Sequence, residues 1–173
     1  MKKLLKTAIF CILLLCVAAC KKVDVKTITI NDSVFELYQT NFNEFDDKKV
    51  TEIETYLYQI DEGDYHYIVG TYPSRNLFNH VKEYVQDVQI DLKKNKIDKL
   101  YIEDDNILAF TKDTIKEKYE NQDIGDHIRF KYTDNIFCIA QYEDDQLIKI
   151  HIEYSINTAR TYKHIDFIEL SEE

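Results

Sequence analysis

With one proline (Pro73) and three isolated glycines (Gly63, Gly70 and Gly125), the chain offers nothing for a low-complexity linker or a glycine-rich phosphate loop. It lacks GxSxG, the dinucleotide fingerprint, HExxH and CxxC, which carry nucleophilic, cofactor and zinc chemistry at fixed spacings. The EF-hand pattern is missing too. The expectation is a non-enzymatic protein with no catalytic residue, no metal site and no cofactor.

Basic residues are also short, 22 against 32 acidic. Nucleic-acid binding needs clustered Lys and Arg, so that class is excluded. The same deficit argues against an electrostatic grip on anionic head groups. A basic protein partner would be steered favourably.

What is present begins with the leader. Lys2, Lys3 and Lys6 precede an apolar run over 8–17, then Ala18-Ala19 and Cys20. This is the three-part order of a secretory signal, too short to span a bilayer. Val17-Ala18-Ala19-Cys20 resembles the lipobox of bacterial lipoproteins. That resemblance implies cleavage between Ala19 and Cys20 and diacylation of Cys20. It also implies a stable membrane hold, since two or more acyl chains suffice. Lys21 is not the Asp that resembles an inner-membrane retention signal, which favours the outer membrane, facing the periplasm or cell surface. Residues 1–19 hold three lysines and no acidic residue, so the remaining chain carries 19 basic against 32 acidic side chains, a net of −13. By that resemblance Cys11 and Cys16 would leave with the leader and Cys20 would be acylated. Cys138 then stands alone, without an intramolecular disulfide.

Residues 20–173 are expected to form a single α+β domain. Runs 23–30 and 34–38 read as strands around Asn31-Asp32-Ser33, and 41–49 as a loop. Tyr56–Ile60 and Tyr65–Val69 flank Asp61-Glu62-Gly63-Asp64 as a hairpin pairing Tyr58 with Tyr67 and Ile60 with Tyr65. Pro73 should end the strand and Ser74 should cap a long helix. Phe78, Val81, Val85, Val88 and Leu92 recur at three and four, with Leu77 and Tyr84 widening the stripe as far as Lys94-Asn95. A hairpin over 100–110 follows, and 112–126 is either a short helix or a loop. Alternation over 127–132 and 148–156, around the wholly apolar Ile136–Ala140, predicts an antiparallel meander with one wet face. Tyr162, Ile165 and Ile168 would close the core. The fold class is an antiparallel sheet of hairpins and a C-terminal meander with one long helix packed on it. Its element order loosely resembles the PsbP-like fold of some envelope lipoproteins.

Candidate binding residues come from two patterns. Tyr56, Tyr58, Tyr65 and Tyr67 on one hairpin form either a recognition surface or a half-buried sheet face. Arg129, Lys131, Lys149, His151 and Glu153 sit at polar positions of the meander, with His151 and Glu153 on one strand face. Such polar positions by default meet solvent. The acidic runs at 61–64, 103–105 and 143–145 read as solvated turns, or as a negative rim for a basic partner. Cys138 reads as an inert core thiol.

The function these features imply is a lipid-anchored envelope lipoprotein that binds a protein or other ligand. An immunity or inhibitor protein against a basic toxin or hydrolase is one form. A structural or assembly role at the outer membrane is the alternative, and a hydrolase with an unrecognised site is a second.

Overall fold

A computed structural model describes residues 26–45, 48–75, 81–157 and 160–168. The leader with its cleavage site at Ala19 and Cys20, and the positions of Leu77 and Phe78, lie outside the described residues.

Among the described residues, twelve antiparallel strands make two sheets. The small sheet contains β1 (Thr27–Ile30), β2 (Ser33–Glu36), β7 (Leu100–Ile102) and β8 (Asp105–Asn106), in the order β2-β1-β7-β8. The large sheet runs β3-β4-β5-β6-β12-β11-β10-β9. Its strands are β3 (Lys49–Glu54), β4 (Leu57–Asp61), β5 (His66–Arg75), β6 (Val81–Asp91), β9 (Glu120–Asp123), β10 (His127–Lys131), β11 (Ile136–Glu143) and β12 (Gln146–Tyr154). The α-helix among the described residues is α1 (Lys112–Lys118). Thr111 caps it by accepting the Thr114 amide, and Ile115 is its buried residue. The turns use the expected chemistry. Asp144 and Asp145, both at positive φ, join β11 to β12 in a two-residue turn.

The small sheet covers the inner face of the large one. Ile28, Ile30, Leu100 and Ile102 share one core with Val69, Val88, Ile90, Cys138, Ile150 and Ile152. Strand alternation sends every second residue of the large sheet to its outer face.

The α+β class, the antiparallel hairpins and the meander agree with the sequence reading. The helix does not lie where the periodicity put it. Residues 81–91 are strand β6, and β5 continues through Pro73 and Ser74 as far as Arg75. Pro73 pairs with Glu83. By alternation its ring nitrogen faces the same side as Thr71, whose amide reaches Tyr56 where β4 begins. Beyond that point no strand among the described residues takes a donor from that side, so proline is tolerated. The expected helix was also part of the element order behind the PsbP-like resemblance.

The first tyrosine hairpin is shifted as well. Tyr58 pairs with Val69 and Ile60 with Tyr67, two residues from the expected register, because the strands close nearer the Gly63 turn. The hairpin at 100–110 is tighter than expected, turning at Glu103-Asp104 before a 3-10 turn over Ile107–Ala109.

Candidate functional site

Along the outer face, the pairing registers define two adjacent rows across the strands. The first runs Leu57, Gly70, Asp87, Glu153, Phe137, Lys131, Glu120. The second runs Gln59, Ile68, Gln89, His151, Ile139, Arg129, Gln122. Residues 160–168 cross the sheet as a strap over the second row. Tyr162 and Ile165 bury Phe137 and Ile139, with Phe167 packed alongside. Gln89 clamps the strap at both ends of its amide. It donates to the Ile168 carbonyl at 3.0 Å and accepts the Ile168 amide at 2.7 Å.

The outer face is therefore not uniformly wet. His151 and Glu153 are each only 5% exposed. This corrects the solvated-face expectation at those two positions. The cause is the strap, whose apolar residues answer Phe137 and Ile139, and those two are why the stretch Ile136–Ala140 of β11 is apolar at every position.

Between the strap and the β3–β4 turn lies a cleft of about 590 Å³, floored by Gly70, Asp87, His151 and Glu153 and flanked by Tyr56 and Arg160. Asp87 and Glu153 are directly opposed across β6 and β12. Like charges so placed repel. The Glu153 carboxylate is balanced by the Arg160 guanidinium at 2.6 Å. Among the described residues no lysine or arginine pairs with Asp87. Its Oδ1 lies 3.5 Å from His151 Nε2, with no hydrogen bond formed by either atom.

His151 Nδ1 lies 2.6 Å from the Asp166 carbonyl. A carbonyl only accepts, so Nδ1 carries a hydrogen, and with the ring neutral Nε2 is a bare acceptor. In that form two buried acceptors face each other. Gly70 makes this geometry possible, because a Cβ built there would overlap the Asp87 carboxylate. An unbranched backbone at mid-strand lets that carboxylate lie flat against β5.

The other candidates disperse. Tyr67 is buried and donates to Glu62 at 3.0 Å. Burial first, and then the Glu62 charge, push its hydroxyl well above the usual range. Tyr58 stacks on Phe42 at 4.0 Å, and burial followed by its Glu83 hydrogen bond raises it to about 12. Tyr65 is half-buried against the core. Tyr56 alone of the four is exposed, and it reaches the cleft. The hairpin tyrosines are chiefly core. Arg129 is paired with Asp166, Lys131 with Asp134 at 2.8 Å, and Lys149 lies 4.7 Å from the Phe167 ring centroid.

The acidic turns engage separate neighbours, Glu62 with Lys48, Asp105 with Tyr132 and Glu143 with Lys93. Cys138 is free and fully buried, which drives its thiol strongly upward and suits an inert core residue.

Gly70, Asp87 and Arg160 belong to the cleft yet were not singled out by sequence. An isolated mid-strand glycine opposite an aspartate was the available signal, hidden by the helical reading of β6. No group of three or more metal-ligating side chains occurs among the described residues. No protein-family model, curated protein or solved structure matches the chain.

Proposed function

We propose that this chain is a lipid-anchored lipoprotein of the bacterial cell envelope, held through acyl chains on Cys20 and placed at the outer membrane. Its domain binds a partner or ligand at the outer-face cleft and does not transform it. Inhibition or immunity against a basic toxin or hydrolase fits the net charge of −13.

One observation supports the binding role above the others. Asp87 Oδ1 and His151 Nε2 are buried at the cleft floor without a hydrogen-bond partner. Buried polar atoms are nearly always satisfied, so a pair left open in a cleft is suited to an incoming polar group.

The hydrolase reading gains a carboxylate and an imidazole in contact, but their arrangement opposes it. A histidine base needs its reacting nitrogen free for the substrate's proton, with the other nitrogen held by a carboxylate or carbonyl. Here the Asp166 carbonyl holds Nδ1, but Asp87 stands against the nitrogen that would react. No hydroxyl or thiol among the described residues is hydrogen-bonded to His151.

The test uses the full chain in a bacterial host. Cys20→Ser should move the protein from membranes to the soluble fraction and abolish acyl labelling. Crosslinking should capture one stoichiometric partner with the native chain and lose it with His151→Leu. Membrane association unchanged by Cys20→Ser would sink the anchor, and capture indifferent to His151 would sink the cleft.

A further inference from the structure

We propose that the cleft takes a primary ammonium group, held between Asp87 and His151. This rests on the binding reading above and names the chemistry of its ligand. Two acceptors 3.5 Å apart, each buried and each without a donor, call for one group carrying at least two hydrogens. An ammonium supplies three and brings the charge that Asp87 lacks. The rest of the lining agrees. Glu153 is neutralised by Arg160, which among the described lining residues leaves Asp87 and the rim Glu54 as carboxylates without a lysine or arginine partner. Tyr56, 41% exposed at the mouth, offers a ring face to a passing cation.

The imidazole is preset for this task. Its Nδ1–H donates to the Asp166 carbonyl on the strap, so Nε2 turns its lone pair toward Asp87. Glu153 and Lys149 flank it on β12, Asp87 faces it from β6, and the strap brings Arg160 together with Asp166, itself paired with Arg129. Protonation of Nε2 would hand Asp87 an internal donor and close the site.

An ammonium reaches such a cleft from two sources, a lysine side chain of a basic protein or a small free amine. The experiment titrates the domain with 1,5-diaminopentane and follows the His151 ring nitrogens and the Gly70 amide by NMR. Saturable shifts at both are expected. Asp87→Asn, which keeps the shape, should weaken binding by at least about tenfold, as should Gly70→Ala, which displaces the carboxylate. Tetramethylammonium has the charge but no N–H and should bind at least about tenfold more weakly. A lysine peptide binding more tightly than the diamine identifies a protein ligand, and the reverse order a free amine.

Equal binding of tetramethylammonium, or a His151 imidazolium at neutral pH in the free domain, would overturn the proposal. Saturable binding of acetate or a neutral sugar at these signals, without the amine, would overturn the ammonium while leaving a binding cleft. Silence toward all of these probes would count against both.

Discussion

Glu62 shows how a residue in an acidic turn becomes structural. Its carboxylate accepts from Lys48, Ser33 and Tyr67 and is mostly buried. Burial pulls its pKa up, but those three donors outweigh it and hold the carboxyl below its ordinary 4.5. A depressed carboxylate contributes stability that is present above the unfolded value and lost as pH falls through the folded one. Unfolding free energy should therefore drop on acidification below about pH 5, with Glu62 a principal contributor. Lys48→Met should flatten that acid limb and cost roughly 1–3 kcal/mol at neutral pH. Urea titrations of both proteins at several pH values measure it, and parallel pH profiles would remove Glu62 from the account. The run Asp61-Glu62-Gly63-Asp64 gave no hint of this. Charge pattern locates a turn, while the lysine that buries one of its carboxylates lies 14 residues away.

At the scale of elements, the misplaced helix has a definite cause. Gly70 pairs with Asp87, but the next residue, Thr71, pairs with Val85, which leaves Gln86 without a partner. This bulge reverses the parity of β6, so Val85 and Val88 both reach the core although three residues apart. Spacing of three is the mark of a helix in sequence, and a bulged strand counterfeits it. Deleting Gln86 should restore plain alternation with Val85 still inward opposite Thr71 and Val88 still inward opposite Val69. The deletion should therefore cost less than about 1.5 kcal/mol in urea unfolding, and Gln86→Ala less than about 0.5 kcal/mol. A loss of about 1.5–3 kcal/mol on deletion, the value of one valine turned out of the core, would contradict the bulge. The meander was legible because its alternation is unbroken where the sequence shows it, at Ile128 and Phe130, and at Ile150, Ile152 and Tyr154. The cleft was legible only by half. His151 and Glu153 announced themselves as polar neighbours on one strand face. Their burial depends on a strap some ten residues downstream, and Asp87 was lost with the helix.

Across the whole molecule, the two sheets have no separate interiors. Ile28, Ile30 and Leu100 from the small sheet and Val69, Val88 and Ile152 from the large one are all fully buried in the same core. A four-stranded sheet with strands of two to four residues cannot retain that apolar face alone, since short strands need a partner surface. Folding of the inner core should hold the large sheet flat enough for its outer-face rows, and hence the cleft, to exist. Truncating one small-sheet residue should then weaken everything at once. Ile30→Ala, on the face away from the cleft, is expected to cost about 2–5 kcal/mol. Far-UV circular dichroism, tyrosine fluorescence and the NMR signal of His151 should all report one shared unfolding midpoint, lowered together. A His151 signal that kept its native midpoint while the far-UV transition moved would mean that the strap and the outer face stand without the small sheet, and the single core would have to be divided.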